Sequence, residues 1–408
     1  MRLLNQPFNG SLGDNLIESL NSGDYHTFKV IVAFAKNSGV LRIREALQRF
    51  REQGGQVSVY VGVDLGGTSY EALTNLLRST DALHVIHSER AQTFHSKIFN
   101  FIGQEQARIN VGSHNLTGGG LWSNFESSID IQLNDGNSGM IQMLEEVDSY
   151  IDYLKSLKKS FMLIESQDDI DTLYEHGYIL KEVSQQVLSK VTPKTKSGRS
   201  PLFGKGHTSS APRLRRTSGQ PQEEISGKQE KPFVPLAPFQ KVEEQTLWFE
   251  TRRMTGGARN ILDLSMTSLV EHGDPSGTSF ESNVAGFMRG AVEFFGVNPT
   301  DFSEVKNINI NFEGVDYEGN VIKFAEDNGS WRLQFRGVDH LDRTFNNVLQ
   351  AKDEKFYLVG KVLAFTRVKD DYYFMTVFPG EDLESFNEAS SLVGRNGRTN
   401  QARMIGVL

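Results

Sequence analysis

His95, Lys97, Gly112, Ser113, Asn115 and Glu126 all fall within one stretch, Phe94 to Ile131, FHSKIFNFIGQEQARINVGSHNLTGGGLWSNFESSIDI. Their side chains suit one class of reaction. A phosphodiester is an anion that resists attack, so cleaving it takes a nucleophile, a proton donor for the leaving oxygen, and donors that neutralise the equatorial oxygens. An imidazole can fill either of the first roles because it titrates near neutrality. Lys97 brings fixed positive charge, and Ser113 and Asn115 bring neutral donors. A carboxylate such as Glu126 can fix the tautomer and orientation of an imidazole.

Short strands must hold these groups. Lys97, Phe99 and Phe101 alternate with Ile98, Asn100 and Ile102, and Ala107 to Val111 is similarly strand-like. Gly103 to Gln106 suits a hairpin loop. Residues i and i+2 of a strand share a face, which predicts His95 beside Lys97. Ser113, His114 and Asn115 then occupy the turn after Gly112, with His114 a loop residue. Gly118-Gly119-Gly120 permits a close backbone approach. Phe125 to Leu133 is predicted to be a third strand, with Glu126 at its start.

The pattern H-x-K, G-S-x-N and a downstream Glu resembles the phospholipase D superfamily at His95, Lys97, Gly112, Ser113, Asn115 and Glu126. The spacing is closest to the nuclease branch, where Asn precedes Glu by eleven residues, as here. The full motif, H-x-K-x(4)-D, has Asp where this chain has Ile102. The nuclease branch often lacks that Asp, so the departure argues against a lipase more than against catalysis. The resemblance implies catalysis by His95, Lys97, Ser113, Asn115 and Glu126 through a phosphohistidine, with no metal. It also implies a pair of such histidines. His26, His84, His87, His114, His176, His207, His272 and His340 have no Lys two residues on. The expectation is therefore a homodimer with a composite site on its two-fold axis.

The 408 residues, 38% hydrophobic and 10% aromatic, are enough for more than one packed core. Absence of cysteine excludes a disulfide framework and thiolate metal sites, and fits a reducing cytoplasm. No apolar run approaches a membrane span, and Met1 to Asp14 lacks a signal-peptide core, so a soluble cytoplasmic protein is expected. The net charge of −8 does not suggest nucleic acid, but its distribution is uneven. Between Glu182 and Glu223 there is no acidic residue, while Lys190, Lys194, Lys196, Arg199, Lys205, Arg213, Arg215 and Arg216 are basic.

In chain order, Thr27 to Ala35, Val57 to Val63 and Leu83 to Ile86 are predicted strands. Helices at Val40 to Phe50 and Tyr70 to Leu77 separate them, giving an α/β start. Gly66-Gly67 fits neither the Walker nor the dinucleotide fingerprint and is taken as a tight turn. Met140 to Leu157 is an amphipathic helix that either closes the domain or packs on a partner. Residues 1–181 thus form a phospholipase-D-like α/β domain, a mixed sheet flanked by helices. Residues 182–235 form a basic Ser/Pro/Gly-rich linker. Residues 236–408 hold short apolar runs separated by turns at Asp316 to Gly319, Asp327-Asn328-Gly329 and Pro379-Gly380, a mainly β pseudobarrel. Helical spans are expected in it near Ser282 to Phe295 and His340 to Asn347. Its Arg252, Arg253, Arg259, Asn260, Arg332 and Arg336 are candidate DNA contacts, since Arg pairs with guanine and Asn with adenine in the major groove.

A phospholipase-D-like nuclease followed by such a domain resembles a small group of bacterial restriction endonucleases whose C-terminal domain is like the plant B-three DNA-binding fold. The resemblance implies a sequence-specific, metal-independent endonuclease acting on double-stranded DNA within a restriction–modification system that includes a cognate methyltransferase. Some members work with a separate ATP-driven translocase. This chain has no Walker motif, so ATP use would lie in a partner. The alternatives are a phospholipid phosphodiesterase and a DNA-binding protein with an inert nuclease domain.

Overall fold

The computed structural model describes residues 1–90, 92–134, 138–191, 245–252, 254, 260–353, 356–369 and 371–408. The chain divides into two compact units, the first taking in Met1–Gln185 and the second reaching Leu408.

The first unit is a mixed α/β fold. In chain order its elements are β1 (Arg2–Gln6), α1 (Leu12–Asn21), β2 (Thr27–Val32), α2 (Asn37–Glu52), β3 (Gln56–Gly62), α3 (Tyr70–Ser79) and β4 (Ala82–Ile86). There follow β5 (Lys97–Ile102), β6 (Gln106–Gly112), β7 (Glu126–Asn134), α4 (Ser138–Ser156), β8 (Phe161–Ile164), α5 (Gln167–Glu175) and, running past the end of this segment at Gln185, α6 (Glu182–Val191). The sheet order is β1-β7-β6-β5-β2-β3-β4-β8. Strands β2, β3 and β4 are parallel, and every other pairing is antiparallel. The parallel strands are buried on both faces, which is why they read as continuous apolar runs. One face packs Val30, Val59 and Phe99 against Val40, Ile43 and Leu47 of α2 and Leu73 and Leu76 of α3. The other packs Ile31, Tyr60 and Ile109 against Val147, Ile151 and Leu154 of α4, so α4 closes its own unit.

Strands β1 and β8, absent from the sequence reading, add an antiparallel edge on each side. The expected linker is also corrected at its start. Glu182–Val191 is helix α6, with Val183 and Val187 buried. The remainder of the linker lies outside the described residues.

The second unit is mainly β. Its strands are β9 (Thr246–Glu250), β10 (Ile261–Leu264), β11 (Thr267–His272), β12 (Phe287–Arg289), β13 (Val305–Phe312), β14 (Val315–Ala325), β15 (Ser330–Gln334), β16 (Lys361–Lys369), β17 (Tyr372–Pro379), β18 (Leu392–Arg395) and β19 (Met404–Val407). They form one sheet in the order β10-β15-β14-β13-β17-β16-β9-β19-β18-β11-β12. Consecutive strands β10 and β11 lie near opposite ends of this order, yet only Ser265 and Met266 connect them. The sheet must therefore roll up to bring its ends together. Asn396, just beyond β18, bridges the join, accepting from Ser265 N–H (2.8 Å) and donating to Asp263 O (2.8 Å). One core, including Phe249, Phe295, Ile310, Trp331 and Phe365, fills the interior.

Two expectations fail here. Ser282 to Phe295 holds β12 and a single helical turn, α7 (Ala291–Phe294), because a Cβ on Gly290 would lie 2.0 Å from Ser265 O and the chain runs extended there. Asp316 to Gly319, predicted as a turn, lies within β14, where the ladder shifts register opposite β13.

Candidate active site

The antiparallel ladders bring the sequence-predicted residues to one end of the first unit's sheet. Lys97 opens β5 and pairs with Val32, near the C-terminal end of β2. Ile98 pairs with Val111 at the end of β6, and Gly112 pairs with Ser128 near the start of β7. His95, Lys97, Ser113, Asn115 and Glu126 thus gather where β2, β3 and β4 end, the edge at which open α/β sheets carry their ligands.

Lys97 is buried and His95 exposed. Lys97 Nζ lies 3.0 Å from His95 Nδ1 and donates to His95 O (2.8 Å), as the i, i+2 spacing predicts. An ammonium has no lone pair, so Nδ1 accepts and a neutral His95 carries its proton on Nε2. Burial pushes the Lys97 ammonium below the ordinary lysine value, and the nearby Glu126 carboxylate opposes this. The ring of Phe34 stands edge-on to His95, with centroids 6.0 Å apart.

Ser113 donates to the Glu126 carboxylate and accepts from Ser127 N–H (3.1 Å). Asn124 donates to Glu126 Oε1 (3.3 Å). Among the described residues Glu126 makes no hydrogen bond to His95, so within this chain its carboxylate braces the serine loop rather than the imidazole. Asn115 Oδ1 accepts from Phe34 N–H (3.2 Å), which leaves its NH2 as the donor for a ligand.

The glycine run approaches the site loop itself. A Cβ on Gly120 would sit 2.5 Å from Asn115 O and 2.8 Å from Asn115 N. His114 is wholly buried and closes the same turn, with Nδ1 2.7 Å from Gly120 O. Burial lowers its pKa. It is therefore a brace with no access to substrate. Ile102 lies at the far end of β5, paired with Ala107 and Thr27, so a carboxylate there would not face this site.

Several supports escaped the sequence reading. Buried Asp64 accepts from Phe94 N–H (2.8 Å), fixing the residue before His95, and pairs with His87 Nδ1 (2.7 Å). Ser96 Oγ and Tyr150 Oη of α4 are 2.6 Å apart. The available signal was an Asp directly after a buried strand. Its partners are set by tertiary contacts that periodicity does not reveal. Among the described residues no cluster of three or more His, Asp or Glu side chains is placed to hold a metal ion.

The candidate DNA contacts belong to the second unit. Arg252 pairs with Glu250 (2.6 Å) and Arg332 with Asp263 (3.2 Å). Asn260 donates to Phe335 O (3.2 Å). Arg336 is exposed and donates to Gln334 Oε1 (2.9 Å). Arg253 and Arg259 lie outside the described residues.

The fold and site together define a mixed α/β unit with a histidine–lysine centre at the strand ends, joined to a rolled β unit. No protein-family model and no curated protein matches the chain. Similar solved structures include Nuc from Salmonella typhimurium, a phospholipase D family member, at 17% identity over 40% of this chain and 97% of that one, TM-score 0.30. NucT from Helicobacter pylori is 15% identical over 38% of this chain and 94% of that one, TM-score 0.26. Phosphatidylserine synthase from Haemophilus influenzae Rd KW20 is 13% identical over 41% and 39%, TM-score 0.29.

Proposed function

We propose that this chain is a metal-independent DNA endonuclease of the restriction type. The observation that carries the reading is the convergence of His95, Lys97, Ser113, Asn115 and Glu126 on one sheet end, with a single H-x-K in the chain. In the proposed reaction His95 Nε2 of one copy attacks phosphorus. A P–N bond forms, the P–O bond breaks, and the leaving oxygen takes a proton from the imidazolium of His95 of a second copy, which is left neutral. That second imidazole then accepts a proton from water as the water oxygen displaces His95 from phosphorus. Lys97 and Asn115 hold the phosphate oxygens, joined by Ser113 once its hydroxyl turns from Glu126 to the phosphate.

An exposed apolar row beside the site supports a homodimer. Leu3 pairs with Ile129, and Ile129 with Val111, across β1, β7 and β6. All three are exposed, as are Phe125 and Phe8 at the same edge. The β unit would supply sequence recognition as a B-three-like domain through Arg252, Arg253, Arg259, Asn260, Arg332 and Arg336. A separate protein would supply any ATP-driven translocation.

The test is cleavage of plasmid or phage DNA in EDTA by the wild type and by His95→Ala. The expected result is cutting by the wild type alone, with DNA binding retained by the variant. A strict Mg²⁺ requirement, or unchanged cutting by His95→Ala, overturns the proposal. The hold of Lys97 on His95 Nδ1 is the observation that favours an inert domain. Wild-type protein that binds DNA and never cuts it would support that reading.

A further inference from the structure

The loop Asp64-Leu65-Gly66-Gly67 follows β3 at the same sheet end as His95 and takes no part in the reaction above. It is held from both sides. Asp64 grips Phe94 N–H (2.8 Å) and His87 Nδ1 (2.7 Å). Gly66 O accepts from Lys36 Nζ (3.2 Å) and from the Gln185 side-chain amide. Gly67 N–H donates back to Asp64 O (3.0 Å). Between these anchors Leu65 sits in the left-handed region, at φ 55° and ψ 20°, with 85% of its surface exposed.

A leucine there is unfavourable twice over. Its Cβ crowds the left-handed backbone, which glycine would adopt freely, and its apolar side chain stays in water. Neither cost is offset inside this unit, because the side chain buries almost nothing. A strained residue whose neighbour Asp64 holds the residue before His95 points to an external contact. The loop is also preordered, so little conformational freedom is lost when it meets a ligand.

We propose that Leu65 is a substrate-contact residue that packs against the face of a nucleobase next to the phosphate held at His95. This rests on the nuclease reading and names a contact of that same site. The apolar surface nearest a nucleic-acid phosphate belongs to sugar and base, and leucine is among the side chains that wedge against base steps. Lys97 and Asn115 would hold the charged part of the nucleotide while Leu65 meets its apolar part.

Leu65→Gly separates contact from structure, since glycine relieves the backbone strain. The variant is expected to melt at the same temperature as the parent or higher. In a His95→Ala background, its binding to a pool of random-sequence duplex DNA, read by fluorescence anisotropy, is expected to weaken about tenfold. Unchanged DNA binding overturns the proposal and leaves the nuclease reading standing. A lower melting temperature or a changed oligomeric mass overturns it by showing that the leucine packs on protein. Loss of binding to phosphatidylcholine vesicles, with DNA binding intact, overturns it in favour of a lipid contact. If His95→Ala protein carrying Leu65 binds no DNA, the nuclease reading fails and this contact fails with it.

Discussion

Lys97 controls the proton inventory of the site. By donating to Nδ1 it leaves a neutral His95 with its proton on Nε2, whereas the proton donor of the proposed reaction is the imidazolium, which is left neutral once its proton is gone. The attacking imidazole needs a bare Nε2 and therefore a proton on Nδ1. One imidazole cannot attack phosphorus and protonate the leaving oxygen in the same step, which is the physical reason the proposed reaction needs a second copy, and the copy that attacks must first exchange the Lys97 contact at Nδ1 for a proton. In the proposed reaction the same lysine sets the alkaline limit. Burial holds its ammonium below the usual lysine value, so the charge proposed to neutralise phosphate is lost earlier as pH rises. Glu126 opposes that shift, so Glu126→Gln is expected to move the alkaline limb of kcat/KM further down. A limb that stays in place, or moves up, would show that another group sets it. Lys97→Ala should cost about 10²–10³ in rate.

Among the elements, α6 shows where composition misleads. Ser, Gln and Lys give it a linker's appearance. Yet Val183 and Val187, spaced i and i+4, are buried, and Glu182 Oε1 accepts from Asn37 N–H at the start of α2 (2.5 Å) and from Ser69 Oγ, the N-cap of α3 (2.7 Å). Glu182 N–H in turn donates to Glu71 Oε2 (3.1 Å). Burial first, and the Glu182 charge second, push the Glu71 carboxyl up to about 7. Its folded pKa thus exceeds its unfolded one of 4.5, so its contribution to stability is full below 4.5 and is lost as pH rises through about 7. Glu71→Gln should flatten that dependence and stabilise the protein at pH 8 by about 1–3 kcal/mol. Thermal melts from pH 5 to 8, a window of about three units, check this, and a variant less stable than the parent at pH 8 contradicts it. Strands β2 to β7 were readable because their alternation or continuous burial is written locally. Edge strand β1 pairs with residues more than a hundred positions away, and that pairing has no local signature.

For the molecule as a whole, pattern and chemistry were unequally visible in the sequence. The candidate catalytic residues form a linear motif because antiparallel β5, β6 and β7 are neighbours in both sequence and space. The rolled β sheet had to be inferred from turn spacing. Its closure depends on the Ser265–Met266 connection and on Asn396, which no periodicity marks. The proposed dimer belongs to this level too. Ile129→Asp places a charge in the exposed row, where it should leave the fold intact. It is expected to shift the mass seen by analytical ultracentrifugation from twice 45.7 kDa to 45.7 kDa, with cleavage lost in parallel. A dimer that persists with full activity would assign the row another role.

The most direct test of the central claim is mass spectrometry of the protein after a rapid quench of a DNA cleavage reaction run in EDTA. The proposed reaction predicts a nucleotide joined through phosphorus to His95, appearing before product and decaying as product forms. Product released with no adduct on His95 at any time would contradict it.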